Sequence, residues 1–127
     1  MTQHWVAGWK LDASDRARLL LQFKPLFPNV VADHVTLRSG TDGDTPLPAE
    51  AGGEIVGEID DGLGVQALVV SIGGTTGRVD GSTFHITWSL GPARRAVESN
   101  DVIARLGWRP LPHLLPIKLR PARFLRC

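Results

Sequence analysis

Cysteine is almost absent from this chain: the one thiol, Cys127, stands at its last position. No internal disulfide can form, and the cysteine usage gives no sign of an oxidising compartment. No nucleophilic role is expected of that thiol, which has no activating neighbourhood. Long apolar runs are missing too, so no segment approaches the roughly 20 residues that a membrane-crossing helix needs. Residues Met1 to Lys10 lack the basic stretch followed by an apolar core that marks a signal peptide. A cytoplasmic protein with no membrane partner is the expectation. Cations are missing from one long interval. Between Arg38 and Arg78 there is no Lys or Arg, while Asp42, Asp44, Glu50, Glu54, Glu58, Asp60 and Asp61 all fall there. Low-complexity tracts and short tandem repeats are also absent.

What is present fits one ordinary globular domain spanning residues 1–127. The chain is 43% hydrophobic and 21% charged, a balance that excludes disorder and leaves room for a single core. Nine prolines and fourteen glycines imply many turns and a strand-rich fold. The formal net charge of +1 gives no strong overall field. After Asp101, however, Arg105, Arg109, Lys118, Arg120, Arg123 and Arg126 occur without an acid. Such a basic strand suits either solvent or a phosphate backbone.

Periodicity predicts the elements. Trp5, Ala7 and Trp9 alternate with Val6, Gly8 and Lys10, which reads as a strand over His4 to Leu11. Asp12 or Ser14 caps the helix that follows, whose apolar residues are Ala17, Leu20, Leu21 and Phe23 and which stops before Pro25. A second strand is predicted from Val30 to Ser39, and a polar loop from Gly40 to Gly53. Glu54 to Ile59 and Val65 to Ile72 read as a hairpin about Asp60-Asp61-Gly62-Leu63-Gly64. Thr83 to Leu90 is a further strand, and Ser99 or Asn100 caps a short helix closed by Gly107. The segment Ile117 to Leu125 alternates apolar with basic residues and reads as a final edge strand. The order predicts an α+β domain with largely antiparallel pairing.

Two tripeptides carry the chemistry, His34-Val35-Thr36 and His85-Ile86-Thr87, each inside a predicted strand. Strand parity places His34 with Thr36 on one face, and His85 with Thr87 on another. The apolar partners Val35, Leu37, Ile86 and Trp88 point away into the core. Side chains two apart on a strand face are separated by about 7 Å, which suits two groups contacting one phosphate. A neutral imidazole can take a proton from water and an imidazolium can give one to a leaving alkoxide. Threonine hydroxyls can donate to the non-bridging oxygens that hold the developing charge. Short motifs are common by chance, but two copies in matching strand contexts point to a site. By the same parity Arg38 follows Thr36 onto the phosphate face, and Lys10 is a second candidate for substrate binding. Trp5, Trp9, Trp88 and Trp108 offer flat partners for a base, but most of them are read as core, with Trp88 facing inward by parity, and His4 and His113 are read as surface residues.

The two motifs resemble those of the 2H phosphoesterase superfamily, and the chain looks like the cyclic phosphodiesterase modules of tRNA ligases and related RNA-repair proteins. The likeness extends to Gly8-Trp9-Lys10-Leu11, Asp33-His34-Val35-Thr36-Leu37, Val65 to Val70, Asp80 to Ser89 and Ala96 to Asn100. It does not cover the basic tail. The resemblance implies a bilobed α+β fold, with two antiparallel sheets forming a V-shaped groove and flanking helices, and one tripeptide from each lobe. It further implies opening of RNA or nucleoside 2′,3′-cyclic phosphates to 2′-phosphates, without metal or cofactor, by His34, Thr36, His85 and Thr87. Two other readings use the same residues. One is a module that binds a nucleotide or RNA end without turnover. The other is a metal site on His34 and His85, which lacks the third protein ligand usual for catalytic zinc.

Overall fold

The computed structural model describes residues 4–49 and 51–126. The inert thiol expected at Cys127 and the surface position expected for the His4 side chain lie outside what it describes. Chain order gives β1 (His4–Leu11), α1 (Ala13–Gln22), β2 (Asn29–Val30), β3 (His34–Thr41), β4 (Ala51–Asp60), β5 (Val65–Ile72), β6 (His85–Leu90), α2 (Glu98–Leu106) and β7 (Arg109–Arg126).

The expected pair of sheets in a V is not what forms. The seven strands make one sheet, in the order β2-β6-β5-β4-β7-β1-β3, with antiparallel pairing throughout and only two helices among the described residues. The reason is β7. It pairs with β4 from Arg109 to Leu119 and with β1 from Leu119 to Arg126, so one unbroken strand joins what would otherwise be two sheets. It is therefore interior, not the edge strand expected, and it starts well before Ile117.

Prolines explain how β7 was hidden. Pro110 and Pro116 pair with β4, and Pro121 pairs with β1. Proline lacks an N–H and normally avoids strands bonded on both sides. Here each half of β7 is bonded on one side, so the missing donors cost no ladder bond on the other. At the handover the Lys118 N–H donates to the Asp15 carboxylate at 2.7 Å, and its carbonyl accepts from Asp12 N–H at 3.1 Å. The start of α1 thus anchors the strand where it changes partner.

α1 is capped by Asp12, whose carboxylate accepts from Asp15 N–H at 3.1 Å. Leu19 is its buried residue, with Leu20 and, at its C-cap, Phe23 packed partly buried against the core, while Leu21 is 81% exposed, so the stripe expected from Ala17, Leu20, Leu21 and Phe23 is met only in part. α2 begins at Glu98 after Val97, without a side-chain cap, and ends on Gly107 at φ 73. The hairpin expected about residues 60–64 is present as β4 and β5. Asp61 fixes its turn by accepting from Leu63 N–H at 2.8 Å and Val65 N–H at 3.0 Å.

β5 is covered on both faces. Leu68 and Val70 join a core with Trp9, Leu19, Val35, Ile86 and Trp88. Val65, Ala67 and Val69 join a second core with Val102 and Ile103 of α2. A near-continuous apolar run is what burial on two faces requires.

β3 and β6 are five strand spacings apart in the sheet order, which would be about 24 Å if the sheet were flat. Yet side chains of both line one cleft, so the sheet curls until these strands face each other. The short link between β2 and β3 holds them there. Val31 and Ala32 N–H groups donate to the Trp88 and Thr87 carbonyls, each at 3.0 Å. Ala32 then reverses the chain at φ 46, and the Asp33 carbonyl accepts from Leu11 N–H at 3.0 Å. The predicted strand from Val30 to Ser39 is broken at this corner, and β3 starts two residues beyond a bond to Thr87 itself.

Candidate functional site

The cleft is small, with a volume of about 40 Å³. β3 contributes His34, Thr36 and Ser39; β6 contributes His85 and Thr87; the β5–β6 connection contributes Arg78; and Ala96, Val97 and Asn100 close it at the start of α2. Both tripeptides therefore meet in one cleft, each His on the same side as its own Thr. No carboxylate is among the lining residues and one guanidinium is, so the cleft suits an anion.

Each imidazole is oriented through Nδ1. His85 Nδ1 lies 2.8 Å from the Thr83 carbonyl oxygen, which only accepts, so this nitrogen carries the proton. His34 Nδ1 lies 3.1 Å from the Asp33 carboxylate, which selects the same tautomer. In both rings Nε2 is then the nitrogen that exchanges a proton as the ring charges.

Asp33 also accepts from Lys10 Nζ, and that ammonium sits 4.4 Å from the centre of the Phe124 ring. Burial works to raise the Asp33 carboxyl, but the Lys10 hydrogen bond and charge, with His34 behind them, outweigh it and hold it below its ordinary range. Phe124 from β7 meets the His34 ring edge-on at 4.6 Å. Register places Lys10 beside His34, since the two pair across β1 and β3.

The hydroxyl of Thr87 is 2.9 Å from Ser99 Oγ and 3.3 Å from the Ala96 carbonyl oxygen that it donates to. Ser99 is fully buried. Its reading as a helix cap is replaced by this role against Thr87. Asn100 donates through Nδ2 to the Val97 carbonyl at 3.1 Å and presents Oδ1 to Arg78 at 3.4 Å.

Two expected substrate-binding residues lie elsewhere. Arg38 is exposed in an adjoining cleft with Leu37, Gly40, Val79 and Asp80. Parity fails because β3 carries an extra residue: Thr36 pairs with Gly8 but Arg38 pairs with Ala7, two steps against one. The bulge turns Arg38 to the opposite face and brings Ser39 into the cleft. Lys10 is engaged by Asp33 and Phe124 and does not line the cleft. None of the tryptophans lines it either. Trp88 is fully buried, with Nε1 donating to the Phe23 carbonyl at 2.7 Å, and Trp9 donates to the Ala49 carbonyl at 3.0 Å.

Arg78 was not visible as a site residue in the sequence, although it ends the long interval without cations. Among the described residues no group of three or more His, Cys, Asp or Glu side chains is placed to hold a metal ion, and no helix is long and apolar enough to cross a membrane. No family model, curated protein or solved structure matches this chain.

Proposed function

We propose that this chain is a 2′,3′-cyclic phosphodiesterase, acting on RNA ends or nucleoside cyclic phosphates in the cytoplasm. The observation that carries the reading is the convergence of His34, Thr36, His85 and Thr87 on one acid-free cleft. It agrees with the resemblance of the two tripeptides to those of 2H phosphoesterases. Water attacks phosphorus as one Nε2 takes its proton. A P–O bond to the ribose 3′ oxygen breaks, and the other imidazolium protonates that oxygen, leaving a 2′-phosphate.

The Nδ1 partners, the Asp33 carboxylate and the Thr83 carbonyl, hold both rings with Nε2 as the exchanging nitrogen. Threonine hydroxyls stabilise the charge on the non-bridging oxygens, so the scheme requires no Lewis acid.

The test is hydrolysis of the four nucleoside 2′,3′-cyclic monophosphates in chelator by wild type, His34→Ala and His85→Ala, with products resolved as 2′- or 3′-phosphates. Turnover in wild type and its loss in both variants is the expected result. Full activity in either folded variant refutes the mechanism. Saturable binding without turnover by wild type supports instead a module that recognises the nucleotide and leaves it intact.

A further inference from the structure

Arg78 holds an unusual position for an arginine. Its side chain is only 8% exposed, yet it lines the cleft beside both tripeptides. Arginine side chains are rarely buried unless they are paired, and this one is paired from one side. Nε and Nη2 donate to the two carboxylate oxygens of Asp80 at 3.1 and 2.8 Å, a fork-to-fork arrangement. Nη2 also reaches Asn100 Oδ1, at 3.4 Å. That leaves Nη1, whose hydrogen bond to the Thr36 carbonyl oxygen is long, at 3.4 Å. A guanidinium has five N–H donors, and Nη1 carries two of them at the cleft.

The carboxylate that anchors Arg78 faces away from the cleft. Asp80 is 53% exposed and is itself fixed by Ser82, whose hydroxyl and N–H donate to it at 2.5 and 2.9 Å. The turn is closed by backbone bonds from Arg78 N–H to the Ser82 carbonyl and from Gly81 N–H to the Arg78 carbonyl, with Gly81 at φ 89. The Arg78 hydrogen bond, then those from Ser82, hold the Asp80 carboxyl far below its ordinary range, so it stays an anion at any working pH. The result is a cation locked by a short rigid turn, with its solvent side neutralised and its Nη1 end directed along the Thr36 backbone.

We propose that Arg78 is a catalytic residue of this site, gripping a non-bridging phosphate oxygen through Nη1, and that Asp80 is the positioning residue that aims it. The proposal rests on the phosphodiesterase reading for its reaction, but not for its anion. A cyclic phosphate diester carries one negative charge, and water attack adds a second to the phosphoryl oxygens in the transition state. A fixed guanidinium rewards that increase more than it rewards ground-state binding. It comes from neither tripeptide, and it supplies the charge that neither Arg38 nor Lys10 brings to the cleft.

The experiment has two arms. The first is steady-state turnover of a nucleoside 2′,3′-cyclic phosphate by wild type, Arg78→Ala, Arg78→Lys and Asp80→Asn. Loss of an oxyanion donor of this kind costs about 100- to 1,000-fold in kcat. We expect that loss in Arg78→Ala, and partial recovery in Arg78→Lys, which restores charge without the fork. Asp80→Asn should lower kcat more than it raises KM, without moving the limbs of the pH profile that belong to the histidines. The second arm is binding of inorganic phosphate, followed by the amide shifts of residues 34–36 and 85–87 in NMR spectra. Wild type should saturate, and Arg78→Ala should bind at least about tenfold more weakly.

The two ideas fail separately. Phosphate binding that depends on Arg78, with no turnover by wild type, sinks the phosphodiesterase reading and keeps the anion site. Turnover by wild type with Arg78→Ala within about threefold of it overturns the role of Arg78 and leaves the two-histidine scheme. Folded state is checked in each variant by the burial-sensitive fluorescence of Trp88, and Arg78→Lys serves as the folded comparison if Arg78→Ala unfolds.

Discussion

Removing the Ser99 hydroxyl tests how Thr87 is made ready to donate. A threonine hydroxyl has one proton and two lone pairs. In the structure that proton goes to the Ala96 carbonyl at 3.3 Å, and Ser99 Oγ stands 2.9 Å away. When phosphate occupies the cleft, Thr87 must turn its proton to the phosphoryl oxygen. Ser99, fully buried against it, then donates to the lone pair that faces α2. Ser99→Ala deletes one neutral hydrogen bond worth about 1 kcal/mol, or roughly fivefold in kcat. Thr87→Val removes the donor itself and should cost about 100-fold or more. Because Ser99 acts through Thr87, the double variant should be no worse than Thr87→Val alone, so the coupling energy should equal the whole effect of Ser99→Ala. The assay is kcat for a nucleoside 2′,3′-cyclic phosphate in the four members of the cycle. Folding should survive, since Thr87 keeps the Ala96 carbonyl as its partner, and the melting temperature should fall by about 4 °C or less. A further fivefold loss in the double variant would show that Ser99 acts independently of Thr87 and refute the relay.

Gly8→Ala should destabilise by about 3 kcal/mol in urea unfolding and reduce turnover in whatever fraction folds, because the new Cβ would lie 2.2 Å from the Val35 carbonyl oxygen and 3.1 Å from Thr36 Cα, forcing back the strand that carries His34. Asp61→Ala, which removes the hydrogen bonds to Leu63 and Val65 and the 3.0 Å pair with Arg94, should cost about 3 kcal/mol by the same measurement. Burial works to raise the Asp61 carboxyl, but those hydrogen bonds and Arg94 leave it depressed. Its stabilisation is therefore full above the ordinary carboxylate range and lost as pH falls through the depressed value. Urea midpoints between pH 6 and pH 2 should fall less steeply in Asp61→Ala than in wild type. Asp33→Asn takes away the carboxylate that fixes the His34 tautomer and engages Lys10, so kcat for a nucleoside 2′,3′-cyclic phosphate should fall by about tenfold or more while KM changes little.

The sequence showed those features that depend on one strand or one turn at a time. β1 was bounded by its own alternation, the β4–β5 hairpin by two apolar runs about a turn of Asp and Gly, and the shared face of each His and its Thr by parity within β3 and β6. Features that depend on how strands pair were hidden. The bulge that diverts Arg38 is a mismatch between β3 and β1, with no mark in β3 alone. β7 was shortened because apolar-basic alternation marks only Ile117 to Leu125, whereas Pro110 and Pro116 fall in the half that pairs with β4. The expectation of two sheets came from the resemblance to 2H phosphoesterases, and the continuity of β7 overturns it. Leu19 was overlooked because the apolar residues of α1 outnumber the places available against the core. Arg78 could not be ranked above Arg38 without the turn through Gly81 that folds it back toward β3.

The corner at Ala32 and the handover in β7 together impose a schedule on the molecule. The wall of the cleft that carries His85 is built from β4, β5 and β6, which lie close in the chain and can pair as soon as they exist. The wall that carries His34 depends on β1, whose second neighbour is the last strand to be made. Closing so long a loop is entropically slow. The half-site around His85 should therefore be present early in refolding, whereas Trp88, which packs against Trp9 and Leu19, should be shielded only later, and activity should appear only with the slower docking of β7. The two walls of the cleft thus form one after the other, and the site exists only once β7 has docked against β1.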